Sequence, residues 1–247
     1  MALRTFQIWR QEGAEAEGGY RDYQTEITEG MVVLDAVHQI QAESAGDLAV
    51  RWNCKAGKCG SCSAEVNGMP RLMCMTRMSD LPEGPVSIEP IRAFPVVRDL
   101  VTDVSWNYDV KRRIKKFQPR PPDNPDGTWT IHQQDVERVQ EFRKCIECYL
   151  CQDVCHVLRD HHKHAEFAGP RYFVYVAALE MHPLDVADRT SELKQDDGIG
   201  YCNITKCCTK VCPEGITITD NAIIPLKERV ASELYDPLTR LLKAFRG

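Results

Sequence analysis

Cysteine is the feature of this chain that most restricts what it can fold into. Twelve of its 247 residues are cysteines, and they lie in three groups of four. An intracellular chain does not use closely spaced cysteines for disulfides, because its compartment is reducing. Such cysteines are typical metal ligands. The groups are Cys54, Cys59, Cys62 and Cys74; Cys145, Cys148, Cys151 and Cys155; and Cys202, Cys207, Cys208 and Cys212.

Composition narrows the class of protein. A hydrophobic content of 43% and a charged content of 27% are typical of a globular chain with room for two domains. The net charge of −5 gives no basic surface for nucleic acid. The longest apolar run, residues 173–179, is far shorter than the roughly 20 residues that cross a bilayer. The amino terminus lacks a signal region, so we expect the chain in the cytosol or on the cytosolic face of another component.

The first group has the C-x4-C-x2-C spacing, and a fourth cysteine follows after eleven intervening residues. This is the plant-type spacing for a [2Fe–2S] cluster. Gly57 and Gly60 lie on the same short loop, where larger side chains would collide. Zinc is the alternative, although zinc sites usually pair their ligands in two short knuckles. The predicted ligands are Cys54, Cys59, Cys62 and Cys74.

The second group has the bacterial C-x2-C-x2-C-x3-C spacing. In this arrangement three cysteines bind one cubane cluster, and the fourth binds the other cluster of a pair. A partner run is therefore expected downstream, and its last cysteine should complete the first cubane. The predicted [4Fe–4S] ligands are Cys145, Cys148, Cys151 and Cys212.

The third group departs from the bacterial spacing at one position. Counted back from its last cysteine, the spacing requires a cysteine at position 205, where the chain has Thr205. A site with three thiolates cannot hold a fourth iron well, so a [3Fe–4S] cluster is predicted. Its ligands would be Cys155, Cys202 and Cys208. Cys207 is left over as a buried bystander, with the alternative that it replaces Cys208 as a ligand.

The amino-terminal part, residues 1–104, is predicted to combine a small sheet with one helix. Residues 5–10 and 20–28 alternate as strands do, and apolar residues recur at helical spacing from Val32 to Ile40. Asn67-Gly68 predicts a hairpin turn between two short strands. Residues 86–89 form a further short strand.

Residues 105–247 are predicted to be helical. Apolar residues lie three or four apart over 136–146, 173–180 and 226–234. Only short runs such as 216–219 resemble a strand. The proline-rich stretch 118–127 reads as an exposed connection. The tail, residues 238–246, has an amphipathic pattern that suits packing on its own domain or docking onto a membrane partner.

The cysteine motifs together resemble one family. The segments RWNCKAGKCGSC (51–62), CIECYLC (145–151) and CNITKCCTKVCP (202–213) are similar to the iron–sulfur subunits of succinate dehydrogenase and fumarate reductase, respiratory complex II, and look most like bacterial, actinobacterial-type members. The resemblance implies an α+β chain: a β-grasp plant-type ferredoxin domain over residues 1–104, then an all-α bacterial-type ferredoxin domain over residues 105–247.

The same resemblance implies partners. A flavoprotein subunit with FAD would oxidise succinate to fumarate in the tricarboxylic acid cycle and pass electrons through the [2Fe–2S], [4Fe–4S] and [3Fe–4S] clusters. A membrane anchor that holds quinone, and often haem b, would receive them. No catalytic residue is expected on this chain, which would lie on the cytoplasmic face of the cell membrane. Fumarate reduction by the same complex is the alternative direction.

Three positions depart from the family pattern near the expected quinone site. Many members have proline after the fourth cysteine of the second group, tryptophan about five residues after that cysteine, and histidine after the first cysteine of the third group. Here these positions hold His156, Asp160 and Asn203. We therefore expect a relocated quinone site or an additional redox centre in the anchor.

Two other functions remain open from the sequence alone. An iron–sulfur subunit of a different oxidoreductase, or a free ferredoxin, would typically keep both bacterial runs complete or lack the plant-type domain. A zinc-binding interaction module would be colourless, whereas clusters colour a protein brown. A short histidine-rich patch, residues 156–164, reads as a solvated helix end, or alternatively as a contact with a partner's cofactor.

Overall fold

The computed structural model describes residues 2–237 and has a sheet-containing region followed by a helical one. Five strands form one mixed sheet: β1 (Ala2–Arg10), β2 (Gly19–Ile27), β3 (Ser63–Val66), β4 (Met69–Leu72) and β5 (Val86–Glu89). Their order in the sheet is β2-β1-β5-β3-β4. Only β1 and β5 run parallel; the other pairs are antiparallel.

The single long helix of the first region is α1 (Val33–Glu43). Its apolar face is buried because the apolar residues recur every three or four positions and meet the sheet. Asp35 caps the helix start by accepting a hydrogen bond from the backbone N–H of Val32 at 3.2 Å. The sequence predicted this helix and both long strands, and the structure confirms them.

The predicted hairpin at Asn67-Gly68 joins β3 to β4. Both turn residues have positive φ, 50° and 70°, as a two-residue turn of this kind requires. The predicted strand over residues 86–89 is β5, which lies between β1 and β3. A small second sheet of β6 (Val96–Arg98) and β7 (Val101–Thr102) precedes the helical region.

The helical region is organised around α6, whose residues Phe173, Val174, Val176 and Ala177 are buried. The described part of this region contains no named strand beyond residue 102, as the sequence predicted. Its helices are α2 (Ser105–Arg112), α3 (Gln133–Gln140), α4 (Leu150–Asp153), α5 (His156–Arg159), α6 (Pro170–Glu180), α7 (Thr190–Gln195), α8 (Cys207–Lys210) and α9 (Ile224–Tyr235).

Two further expectations concern the connections. The proline-rich stretch 118–127 is exposed and without regular structure, as predicted. The strand-like run 216–219 is not a strand: a π-helical turn, Ile218–Ile223, begins there and leads into α9. Ile218 and Thr219 are both buried in that turn, whereas a half-buried strand would bury only alternate side chains. The amphipathic tail lies outside the described residues.

Both regions share one continuous hydrophobic core. Polar contacts also join them, since the buried carboxylate of Glu65 on β3 accepts from Arg159 on α5 at 3.2 Å and pairs with Arg92 at 3.0 Å. Asp153 on α4 accepts from the backbone N–H of Ala93 at 3.1 Å. Across residues 2–237, none of the helices has the length and apolar character to cross a membrane.

Candidate iron–sulfur sites

The first cysteine group lies on the loop between α1 and β3 and on the turn after β4. Lys55, Gly57 and Gly60 all have positive φ, which lets the loop curl around its own centre. The backbone N–H groups of Ala56 and Lys58 donate to the Cys54 sulfur at 3.4 and 3.3 Å. Backbone donors aimed at a thiolate are typical of iron–sulfur loops.

The four thiols of the first group differ in exposure. Cys62 and Cys74 are buried, whereas Cys54 and Cys59 lie nearer the surface. Burial raises the pKa of the Cys59 thiol, but hydrogen bonds with Ser61 and Cys54 outweigh it and lower the pKa to about 6. Burial raises the pKa of Cys62 to about 12, with Cys74 as its close neighbour.

Three cysteines of the second group and one of the third line a common cavity. Four cysteines line it together, and they are the four that the sequence assigned to a [4Fe–4S] cluster: Cys145, Cys148, Cys151 and Cys212. Cys212 belongs to the third run in sequence, yet it lies beside three cysteines of the second run. The backbone N–H of Ile216 donates to the Cys212 sulfur at 3.4 Å. Burial raises the pKa of Cys148 to about 12, and it also raises the pKa of Cys151 well above its usual value.

The third group lies beside α8. Burial raises the pKa of Cys208 to about 11, and the neighbouring thiols of Cys207 and Cys202 add to this effect. Burial likewise raises the pKa of Cys155 to about 12, with Cys207 and Cys208 close by. Cys155 is therefore near the third group, although it belongs to the second run in sequence.

A threonine pair lies against the third group. The Thr209 hydroxyl donates to the Thr219 hydroxyl at 3.1 Å, and the Thr219 oxygen lies 3.4 Å from the Cys208 sulfur. The Thr219 hydroxyl can donate its proton to this sulfur, because Thr209 supplies the proton that Thr219 accepts. Thr219 reaches the site from the π-helical turn, and its sequence position gave no sign of this.

The second and third runs have the same backbone pattern. The second and fourth residues after Cys145, Glu147 and Tyr149, have φ of 56° and 61°. The second and fourth residues after Cys202, Ile204 and Lys206, have φ of 63° and 61°. A four-residue helix follows each loop, α4 in one case and α8 in the other. Residues other than glycine rarely adopt this left-handed backbone, so its repetition indicates two related ligand loops.

The repeat gives each residue of the third run a counterpart. Thr205 lies at the position equivalent to Cys148, and Cys208 at the position equivalent to Cys151. Cys207 corresponds to Leu150, which lies in the first turn of α4 and faces the core. Cys207 is only half-buried, so the expectation that it is buried was wrong, and its sulfur lies 3.2 Å from the Thr205 hydroxyl. This correspondence favours Cys208 over Cys207 as the ligand, and the ligand set stays a prediction.

The first and second groups approach each other closely. A Cβ atom built on Gly60 would lie 2.6 Å from the Cα of Cys148, so only glycine fits there. The Ser63 hydroxyl donates to the Cys148 carbonyl at 2.8 Å. Lys58 of the first loop also pairs with Glu214, two residues after Cys212, at 3.5 Å.

The histidine-rich patch divides into two parts. His164 lies against the ring of Trp106, and its Nε2 is 2.7 Å from the carbonyl of Ala93, so it joins the two regions. His161 and His162 are exposed. Asp160 is also exposed, and its carboxylate lies 3.9 Å from Arg159.

The residues fit iron–sulfur clusters by their donor chemistry. Buried thiols with raised pKa ionise only when a cation compensates for the lost solvent, and iron bound to sulfur provides that charge. Backbone N–H groups point at Cys54 and Cys212, as they do toward the sulfurs of such sites. No three His, Cys, Asp or Glu side chains within residues 2–237 lie close enough for one metal ion, so the fit rests on donor type and on the shared cavity.

Two known domain families match the chain. Residues 5–109 match the 2Fe-2S iron-sulfur cluster binding domain, and residues 141–216 match the 4Fe-4S dicluster domain. The fumarate reductase iron-sulfur subunit of Mycobacterium tuberculosis is 32% identical over 82% of this chain and 82% of its own length. The chain belongs to the family of succinate dehydrogenase and fumarate reductase iron–sulfur subunits. It is thus part of an oxidoreductase complex that transfers electrons.

Other relatives agree with this family. One chain of the Mycobacterium smegmatis Sdh1 complex in the apo form superposes with a TM-score of 0.90, with 57% identity over 96% of this chain and 98% of its own. The succinate dehydrogenase iron-sulfur subunit of Bacillus subtilis is 28% identical over 87% of each chain. Some archaeal relatives are longer: the chain spans 44% of a fumarate reductase (CoM/CoB) polypeptide of Methanothermobacter marburgensis, to which it is 29% identical.

The sequence missed one residue of the second site, Arg171, which lines the cavity with the four cysteines. It is the second residue of α6, far from every cysteine in sequence, and no motif marks it. The contact between Gly60 and Cys148 was also missed, although the need for glycine on the first loop was predicted.

Proposed function

We propose that the subunit carries electrons through three clusters in series, from a flavoprotein partner to quinone in a membrane anchor. The clusters supply reversible one-electron chemistry when bound. The proposed ligands are Cys54, Cys59, Cys62 and Cys74 for [2Fe–2S]; Cys145, Cys148, Cys151 and Cys212 for [4Fe–4S]; and Cys155, Cys202 and Cys208 for [3Fe–4S].

The observation that carries this proposal is the order of contacts between the three groups. The first loop touches the second group through Gly60 and Ser63. The second and third groups exchange one cysteine each, since Cys212 lines the second cavity and Cys155 lies by Cys208. Successive contacts of this kind favour a linear relay with the second site in the middle.

The chain's own side chains bind, position and shield the clusters. The hydrophobic core excludes water from Cys148, Cys151 and Cys208, all of which are buried. A low-dielectric surrounding strengthens each hydrogen bond and charge near the sulfurs, which is how a protein adjusts the potential of such a site. No side chain of this relay needs to exchange a proton with substrate, so substrate oxidation belongs to the partner.

The domain assignment is part of the same proposal. A β-grasp plant-type ferredoxin domain would occupy residues 1–104, and a helical bacterial-type ferredoxin domain residues 105–247. The mixed sheet with one crossing helix supports the first assignment, and the two related cysteine loops support the second. Limited proteolysis in the exposed stretch 118–127 should leave the first domain intact.

Both ends of the relay approach the surface. Trp52 and Met75 are exposed beside the first cysteine group, and Lys55 lies 5.0 Å above the Trp52 ring. Tyr201 and Ile204 are exposed beside the third group. We assign the first surface to the FAD-containing flavoprotein and the second to a membrane anchor with quinone and haem b. The subunit would then lie peripherally on the cytoplasmic face of the cell membrane.

The proposed direction is succinate oxidation to fumarate, with fumarate reduction as the alternative. The direction is tested in the purified complex by comparing the rate of quinone reduction by succinate with the rate of fumarate reduction by quinol. We expect the first rate to be higher, and succinate alone should produce a reduced [2Fe–2S] signal in electron paramagnetic resonance. A complex in which succinate reduces no cluster would refute the proposal.

A relocated quinone site, or an additional redox centre in the anchor, is also proposed. Asp160 and His156 stand where the family resemblance places tryptophan and proline, and Asp160 is exposed rather than part of an apolar pocket. With relocation, Asp160→Ala should leave the Michaelis constant for quinone unchanged. A large rise in that constant would count against relocation.

A further inference from the structure

A buried positive charge lies at the middle site. Arg171 lines the same cavity as Cys145, Cys148, Cys151 and Cys212, and its side chain is only 3% exposed. It comes from the first turn of α6, where its backbone N–H donates to the Gln152 side chain at 3.3 Å. The position is therefore fixed by the helix start and not by a flexible loop.

The charges around Arg171 do not balance. Its guanidinium pairs with Glu147, whose carboxylate also accepts from Lys111 at 2.8 Å. The ring of Tyr175 lies under both cations, 4.4 Å from Arg171 and 4.6 Å from Lys111. Two cations therefore share the carboxylate of Glu147. The carboxylate of Glu214, in the cavity wall, pairs with Lys58 at 3.5 Å, so the charged side chains around the cavity carry net positive charge.

Part of the guanidinium lacks an acceptor. The Nε of Arg171 is buried and has no hydrogen-bond partner anywhere in residues 2–237. A buried charged donor without an acceptor is costly, so a native fold normally provides one. The cavity wall next to Arg171 offers sulfur atoms, which accept hydrogen bonds when they are thiolates or cluster sulfides.

We infer that Arg171 raises the reduction potential of the [4Fe–4S] cluster bound by Cys145, Cys148, Cys151 and Cys212. This inference rests on the proposed function. Reduction moves one electron from the first site to the second and makes the second site more negative. The guanidinium keeps its protons and stabilises that added charge. Arg171 would thereby favour electron transfer from the first cluster to the second.

A purely structural role for the pair of Arg171 and Glu147 gives a different expectation. If the pair only holds α6 against the second cysteine loop, loss of either partner weakens the site in the same way. If charge sets the potential, the two partners act in opposite directions. Arg171→Gln should lower the potential, and Glu147→Gln should raise it.

The test is a redox titration of the second cluster in the purified complex, followed by electron paramagnetic resonance. We expect Arg171→Gln to reduce the ratio of reduced to oxidised cluster at a fixed potential by about tenfold or more, which is ~59 mV for one electron. Glu147→Gln should shift the midpoint the other way. Arg229→Gln is the matched control, because Arg229 pairs with Glu180 and does not line the cavity. Its midpoint should equal that of the wild type.

The possible outcomes distinguish a failure of this inference from a failure of the proposed [4Fe–4S] ligand assignment. A wild-type complex without a [4Fe–4S] signal would refute the ligand assignment itself. A wild-type signal whose midpoint is unchanged in Arg171→Gln would overturn only the inference. If Arg171→Gln loses the cluster, the variants Arg171→Lys and Glu147→Gln provide the test instead. A midpoint potential that is unchanged in Glu147→Gln overturns the inference. A midpoint that is raised in Glu147→Gln and equal to that of the wild type in Arg171→Lys supports it.

Discussion

Thr205 lies in the loop after Cys202 at the position that Cys148 occupies in the loop after Cys145. The two loops have the same left-handed residues and are followed by helices of equal length. The backbone around Thr205 is therefore shaped for a ligand, while its side chain is a poor one for iron. The proposed [3Fe–4S] cluster depends on this one difference between the loops.

Replacing Thr205 with cysteine should supply the missing thiolate. Thr205→Cys is expected to convert the [3Fe–4S] cluster into a [4Fe–4S] cluster, because a fourth ligand allows a fourth iron to bind. The measurement is electron paramagnetic resonance of the oxidised complex, in which the [3Fe–4S] signal should disappear.

Cys207→Ser is the control for this substitution. It removes a thiol next to Thr205 that corresponds to Leu150 in the second run and is not a proposed ligand. The [3Fe–4S] signal should persist at full intensity. Loss of the signal in Cys207→Ser would show that Cys207 is a ligand. No change in Thr205→Cys would show that a thiol at position 205 does not reach the cluster.

At the scale of elements, the first and second cysteine loops are in direct contact at Gly60 and Cys148. Gly60 has φ of 67° and lies directly against the backbone of Cys148. Ser63, at the start of β3, adds a hydrogen bond to the same residue. The two ligand loops are thus positioned by each other, and a change in one should affect metal binding at the other.

Gly60→Ala should disturb this contact. An added Cβ would lie 2.6 Å from the Cys148 Cα, and the left-handed backbone itself costs a non-glycine residue about 1–2 kcal/mol. Gly68→Ala is the matched control, because Gly68 has φ of 70° but nothing within 4 Å of the added Cβ. We expect iron content at the second site to fall in Gly60→Ala only. Equal iron content in the two variants would contradict a role for the contact.

Asp197 gives the helical elements a pH dependence. It is buried in the turn that precedes the third group, and the Tyr172 hydroxyl of α6 donates to it at 2.9 Å. Burial raises the pKa of Asp197 from 3.8 to about 6, although the Tyr172 hydrogen bond opposes this. The folded state therefore binds the proton more tightly than the unfolded state, and this contribution to stability is lost as pH rises through about 6.

Asp197→Asn should remove that pH dependence. Between pH 5 and pH 7 the wild type is expected to lose roughly 1 kcal/mol of stability relative to the variant. Thermal unfolding of the purified complex at several pH values measures this difference. Asp22→Asn removes an exposed carboxylate on β2, which is not among the groups that act on Asp197, and should follow the wild-type profile. A profile for Asp197→Asn that runs parallel to that of the wild type would contradict the buried-proton account.

The elements also show what a sequence can and cannot predict. The strands, α1 and the hairpin at Asn67-Gly68 were predictable, because their periodicity and turn residues are local properties. The π-helical turn at Ile218–Ile223 was not, because alternating apolar residues fit a strand equally well until the neighbouring helices are known. Arg171 was missed for a related reason: its role depends on a cavity formed by residues distant in sequence.

At the scale of the whole molecule, the three cysteine groups lie on two differently built regions. The first group contacts the second, and the second contacts the third. Spacing alone predicted which cysteines belong together, and the shared cavity of the second group agrees with that grouping. Spacing could not predict that the first and second loops would touch, since that contact arises from packing between the two regions. The proposed relay therefore depends on how the two regions pack against each other.

The most direct test of the relay is the metal content and the electron paramagnetic resonance of the complex isolated without air. Three clusters predict iron and inorganic sulfide in every chain, an oxidised [3Fe–4S] signal that vanishes on reduction, and a [2Fe–2S] signal that succinate produces. Stoichiometric zinc without sulfide would contradict the account, because the same thiolates would then hold an ion that carries no electrons.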